Sequence, residues 1–400
     1  MSAASLAAGR DPRLDVFRGL AMAIILVAHV PGNPVTEFIP ARFGPSDAAE
    51  MFVFCSGFAS AIAFGGTFGR AGFVLGTLRI AHRCWQIYWS HLALFVSVAA
   101  LCVAGSALPG APDYIHALWL QPFFAEPRQG LLYLVTLTYV PNYFDILPMY
   151  LVVLAMVPGV MALARLGPPA ALAACITLYI AQLARGWNLP AEWWSERPWF
   201  FDPFAWQLLF FAGFAFGRGW LPAPPQRRWL LWLSIAFILL LVPVSWRPLW
   251  IGVGWLEAAN HALAPWADKT HFGPLRLLHF LALAYLALWS VQRWPWLVAS
   301  LVARAVATVG QQALPVFLWS MCFAQALGMA LDQAGRGPLN VLAANLLGLL
   351  SLLGVAHLAR LVKSQPWRHH AATASAKHAP PWRTVLNPWS MSRWQARERA

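Results

Sequence analysis

Apolar positions along this chain fall into long blocks, not into the short alternations of strands or the one-sided stripes of soluble helices. A bilayer core about 30 Å thick needs roughly 20 residues of apolar helix. Blocks of that order lie at 16–31, 48–66, 84–104, 146–166, 169–183, 204–220, 229–244, 275–291, 305–330 and 341–362. A shorter apolar stretch, 131–140, precedes the fourth and reads as a half-helix. The pattern predicts an all-α fold: a polytopic membrane helix bundle of about ten transmembrane helices. It forms one membrane domain over 1–363, followed by a tail at 364–400 that is basic, rich in His, Pro and Ser, and expected to be disordered.

Composition removes the soluble alternatives. Of 400 residues, 60% are hydrophobic and 11% charged, where an ordinary globular domain carries about 25% charged residues. That excludes a soluble enzyme, a disordered protein and a secreted disulfide scaffold. The net charge of +13 could suggest nucleic acid, but no basic run carries a nucleic-acid-binding motif. Basic loops on the cytoplasmic side explain it better: with the N-terminus inside, twenty of the 28 Lys and Arg residues fall on that side. Both termini are then cytoplasmic, in a multi-pass membrane protein. Trp187, Trp193, Trp194 and Trp199 crowd one outer loop and Trp246, Trp250 and Trp255 another, as interfacial indoles do; a glycan-stacking surface is the minority reading. The five cysteines form no CxxC pair, so neither a metal site nor a disulfide framework is expected. Asp11, Arg13, Asp15 and Arg18 lead into the first block with no clear small-residue cleavage site, so a cleavable signal is not expected.

Ionisable groups inside a membrane are expensive and mark function by default. The first block carries Asp15, Arg18 and His29 in RLDVFRGLAMAIILVAHV. Arg18 and His29 are eleven residues apart, about three turns and roughly 16 Å, and so share a face. Singly, Arg18 reads as a snorkelling residue and His29 as a hydrogen-bonded core histidine. Together they favour a polar stripe into the bundle, with His29 as a general base near neutral pH. Asp47 and Glu50 open the second block in SDAAEMFVFCSGF; capping explains Asp47, while Glu50 begins the apolar run on the same outer side as His29. Ser56 reads as a helix-contact residue before a nucleophile. Further polar groups stand at the borders of other blocks: Asp145 and Tyr150 in PNYFDILPMY, Gln207 in DPFAWQLLFFAGF, and Lys269, Arg276 and His279 in ADKTHFGPLRLLHF. Each is readable alone as packing or anchoring and jointly as substrate-binding. Arg79, His82 and Arg83 form an inner basic cluster that topology explains fully, although such a cluster can also grip the phosphates of coenzyme A.

The stretches RLDVFRGLAMAIILVAH, SDAAEMFVFCSGF, PNYFDILPMY, DPFAWQLLF, DKTHFGPLRLLHF and VGQQALPVF, in order over residues 13 to 317, resemble the OpgC family of integral-membrane proteins, relatives of the acyltransferase-3 superfamily. The resemblance implies ten spans in the inner membrane and succinyl substitution of periplasmic glucans. It also implies that the Arg-x10-His pair Arg18 and His29 positions an acyl donor and catalyses transfer, with Glu50 beside them. The partners implied are the bilayer, acyl-CoA (succinyl-CoA among the candidates) as co-substrate with no permanently bound cofactor, and a glucan or related polysaccharide. The family does not fix the substrate, and the sequence sets no oligomeric state. The rival from another class is a transporter or flippase of glycan or acyl groups without bond chemistry, which suits intramembrane charges and proline-broken helices equally well. A third is a structural or sensory membrane subunit.

Overall fold

The computed structural model describes residues 11–367. Arg10 and the tail beyond 367, with the expectation of disorder placed on it, lie outside the described residues. Two compact units divide at Ala356; the described part of the second, 357–367, contains the last turns of the final helix.

The main helices are α1 (Pro12–His29), α2 (Ala48–Ser60), α3 (Gly66–Arg70), α4 (Gly72–Ser106), α5 (Ile146–Ala155), α6 (Val157–Leu163), α7 (Pro168–Arg185), α8 (Pro203–Arg218), α9 (Arg228–Ser245), α10 (Pro274–Arg293), α11 (Leu301–Gln311), α12 (Ala313–Ala334) and α13 (Pro338–Ser364). No strand occurs among the described residues. An all-helical fold is what a bilayer allows, because each helix satisfies its own backbone polar groups. A π-helical turn, Ala61–Gly65, joins α2 to α3. Of the expected half-helix at 131–140 only 131–135 is helical, as the end of a nine-residue helix, Pro127–Val135; 136–140 leave the helix in a turn.

Among the described residues, seven segments are long and apolar enough to cross a membrane: Ala48–Arg70, Gly72–Ser106, Ile146–Leu163, Arg228–Ser245, Pro274–Arg293, Ala313–Ala334 and Pro338–Ser364. The blocks at 16–31, 169–183 and 204–220 coincide with α1, α7 and α8. Of these, α1 is made more polar by Arg13, Asp15 and Arg18, and α8 is 16 residues long. One expectation is corrected. The block 305–330 is not one helix, because α11 ends at Gln311 and α12 begins at Ala313, with Gln312 at φ −113° and ψ 41° between them. The clearest sign of a lipid surround is α9, whose mean hydropathy is 2.0 although only 11% of it is buried inside the bundle. Such a helix is stable only against another apolar phase.

Close backbone approach holds the bundle centre together. A Cβ on Gly57 of α2 would lie 1.9 Å from the Phe210 carbonyl of α8, and one on Gly213 would lie 2.1 Å from that of Phe54. Gly213 and Gly217 form a GxxxG pair, the spacing that lets two membrane helices touch along their backbones. α1 and α11 meet the same way, through Gly19 against the Val306 carbonyl and Gly310 against that of Asp15. α2, the π-helical turn and α3 thus run from Asp47 at one end of the bundle to an arginine-rich opposite end. There Arg218 crosses Gly65, Arg79 donates to Thr67 Oγ1 at 2.6 Å, and Arg165 covers the Phe73 ring.

Candidate active site

At the Asp47 end lies a cavity of about 600 Å³ whose wall includes His29, Arg42, Asp47, Tyr143, Asp145 and Lys269. His29 is the last residue of α1 and half-buried. Its Nδ1 lies 2.7 Å from the Ile25 carbonyl. A carbonyl oxygen only accepts, so Nδ1 carries the hydrogen and, in the neutral ring, Nε2 keeps its lone pair. The Tyr143 ring meets the imidazole edge-on at 5.5 Å.

Four charged side chains from two distant segments close a network behind that wall. Asp47 caps α2 by accepting the Ala49 N–H at 2.7 Å, and its own N–H donates to Glu50 Oε2 at 2.7 Å, a complete capping box. The second Asp47 oxygen accepts Lys269 Nζ at 2.6 Å, and Glu50 Oε1 accepts Arg276 Nε at 2.7 Å. Arg276 Nη2 lies 3.6 Å from Asp47. Burial alone would push the Asp47 carboxyl up; the Lys269 ammonium and Arg276 guanidinium outweigh it and hold it at about 2. Asp47 therefore keeps its negative charge between the two cations, of which Lys269 borders the cavity.

Opposite His29, the loop before α5 supplies Tyr143 and Asp145. Tyr143 sits at φ +124°, a backbone region that L side chains rarely adopt. It is held there by three ties: its N–H donates to Asp145 Oδ2 at 3.2 Å, its hydroxyl donates to the Met321 carbonyl at 2.6 Å, and Arg197 donates to neighbouring Asn142 at 2.8 Å. Burial pushes the Asp145 carboxyl up to about 8, so at neutral pH it is mostly protonated and able to donate. The turn after His29 is fixed from the other side. Asn33 and Asn345 exchange amide hydrogen bonds at 2.9 and 3.1 Å, and Arg336 donates to the Pro31 carbonyl at 2.7 Å.

The structure thus brings His29, Asp47, Asp145 and Lys269 to one cavity, with Glu50 and Arg276 immediately behind. It places the other sequence-named residues elsewhere. Arg18 is on α1 within electrostatic reach of Cys55, and Asp15 is buried near Gly310; neither lines the cavity. Met22 and Ile25, both buried and apolar, lie between Arg18 and His29 on the same face. Ser56 is buried in α2. Tyr150 faces Ser60 and Phe210, and Gln207 donates to the Cys175 carbonyl at 2.8 Å, joining α8 to α7. His279 packs over Gly44, with Nδ1 2.6 Å from Ser46 Oγ, and so shapes the loop leading to Asp47. Arg79 and Arg83 lie on α4 at the arginine-rich end, Arg83 bonded to Gln86. Among the described residues no cluster of His, Cys, Asp or Glu is placed to hold a metal ion.

Sequence reasoning passed over Asn33, Arg42, Asn142 and Tyr143. Two of these stand in PNYFDILPMY, where a proline and an asparagine before an aromatic signal a turn rather than helix. Arg42 lay unmarked in a connection of no apolar pattern.

Fold and site define a multi-pass helical membrane protein with a charged, solvent-open chamber at the end opposite its arginine cluster. The chain belongs to the OpgC protein family, whose sequence profile matches residues 10–364. No curated protein and no solved structure matches it.

Proposed function

We propose that this protein is an inner-membrane O-acyltransferase that moves an acyl group from cytoplasmic acyl-CoA to a periplasmic glucan. Succinyl is the acyl group that the family resemblance favours. Ten spans, with α1, α7 and α8 among them, place the arginine-rich end inside and the chamber outside, in keeping with the positive-inside rule. The observation that carries the reading is His29: a residue of the chamber wall whose ring tautomer, set by the Ile25 carbonyl, leaves Nε2 with its lone pair. In the reaction, a sugar oxygen attacks the thioester carbonyl while Nε2 takes the hydroxyl proton. The carbon–sulfur bond then breaks, and the imidazolium returns the proton to the leaving thiolate. A base in this role is worth about 10²–10⁴-fold in rate.

Direct transfer fits the chamber wall, which holds no serine or cysteine. Its one threonine, Thr36, donates its hydroxyl hydrogen to the Asn33 carbonyl at 2.6 Å. Lys269 can turn from Asp47 to a carboxylate or a developing oxyanion, while Arg276 stays with Glu50. Arg79 and Arg83, at the arginine-rich end, take coenzyme A phosphates.

The test is purified protein in lipid nanodiscs, given acyl-CoA and glucan and read by mass spectrometry. Covalent addition of the acyl mass is expected; movement of unmodified glucan across vesicles, with no addition, supports the transport rival instead. Lys269→Met is expected to lower succinyl transfer about tenfold or more, as loss of one charge-assisted hydrogen bond does. Acetyl transfer, which presents no second carboxylate, should fall less. Equal losses for the two donors would remove Lys269 from carboxylate recognition.

A further inference from the structure

A second cleft, of about 480 Å³, lies far from His29 between α4 and the α5–α6 pair. α4 contributes Ile80, Ala81, Cys84 and Trp85; Ala155 and Pro158 line the other side. The junction of α5 and α6 borders it. α5 ends at Ala155, and Pro158, at the second position of α6, has no N–H with which to continue the ladder. Small side chains at Ala81 and Ala155 leave the space unfilled.

The few polar atoms along the cleft are turned inward. Thr77 Oγ1 donates to the Phe73 carbonyl at 2.9 Å, and the Tyr88 hydroxyl donates to that of Val135 at 2.7 Å. Cys84 Sγ lies 3.9 Å from the Leu151 carbonyl. The cleft is therefore almost wholly apolar toward an occupant and suits a hydrocarbon chain. From Thr77 to Tyr88 it follows eleven residues of α4, about 16 Å, roughly one leaflet of a 30 Å core. Val74, Leu75 and Leu78 beside it are exposed, as residues facing lipid are.

At the arginine-rich end, one helical turn from Thr77, the Arg165 guanidinium covers the Phe73 ring at 4.6 Å. Arg165 is exposed, and among the described residues no carboxylate pairs with it. An apolar slot of one-leaflet length ending at an uncompensated cation matches one amphiphile. We propose that this cleft binds one acyl chain of an anionic phospholipid, with the lipid phosphate on Arg165. The site depends on the membrane setting and not on the chemistry at His29.

The test uses full-length protein, delipidated in detergent and offered phosphatidylglycerol and phosphatidylcholine with identical chains. Retained lipid is counted by native mass spectrometry. Wild type is expected to keep one phosphatidylglycerol, preferred about fivefold over phosphatidylcholine, the factor one surface arginine supplies. Arg165→Gln, at an exposed side chain that leaves packing intact, should erase the preference. Ala155→Trp, which fills the slot, should remove the bound lipid of either kind. Equal retention of the two lipids by wild type, an undiminished preference in Arg165→Gln, or full retention by folded Ala155→Trp overturns the proposal.

Discussion

Replacing His29 by alanine is expected to leave a folded, inserted protein that transfers acyl groups at least about 10²–10⁴-fold more slowly. The size follows from the base role. No other lining side chain offers an imidazole, and the Asp47 carboxylate on the same wall is held ionised in a pair with Lys269 and is too weak a base to replace it. The fold should survive because the ring's one hydrogen bond, to the Ile25 carbonyl, lies within its own helix. Gln at this position should behave as Ala does, since an amide keeps a donor but provides no basic nitrogen. The sign of the pH response is fixed as well. Protonation of the imidazole removes the lone pair, so transfer should fall on the acid side and be retained on the neutral side. The measurement is product formation against pH in nanodiscs for wild type and both variants. Wild-type rates in His29→Ala would remove the residue from the chemistry.

The second large effect is on stability. Arg276→Met is expected to destabilise the protein by about 3–5 kcal/mol, the cost of leaving one member of a buried ion pair alone. Glu50 is 0% exposed and Arg276 6%, so water cannot take over the lost partner. Part of that cost should return in the double variant Glu50→Gln with Arg276→Met. Gln at the third helical position still accepts the Asp47 N–H and so keeps the capping box, but it brings no charge. Unfolding in detergent, followed by helical circular dichroism, reads both. A single variant within about 1 kcal/mol of wild type would mean that the pair is more hydrated than its burial implies.

Much of the fold was legible in the sequence because the bilayer imposes a simple ruler on apolar length. Nine of the ten blocks fall on single helices or directly continued ones. The tenth failed at Gln312: Pro315, at the third position of α12, has no N–H to give the Gln311 carbonyl that ends α11, a signal hidden by the apolar run around it, while Gly310 serves contact with the Asp15 carbonyl. The site was legible only in its ingredients. His29, Glu50, Lys269 and Arg276 stand out as ionisable groups at the edges of apolar runs, yet the pairing of Glu50 with a residue 226 positions away is a tertiary fact. The expected polar stripe on α1 was read from Asp15, Arg18 and His29 alone, while Met22 and Ile25 occupy the same helical face and close it with apolar atoms. Tyr143 was hidden for another reason. Its strained backbone depends on Asp145, Met321 and Asn142, and no local rule joins those three.

Everything at His29 requires its ring to face water on the side of the membrane opposite the arginine-rich end. The direct measurement is chemical access to Ala28→Cys, beside the ring on the cavity wall, in a background freed of the five native cysteines. A membrane-impermeant thiol reagent is applied to spheroplasts and, separately, to inverted vesicles. The account predicts rapid modification in spheroplasts and protection in inverted vesicles. Labelling from the inverted side alone, or from neither side, contradicts it.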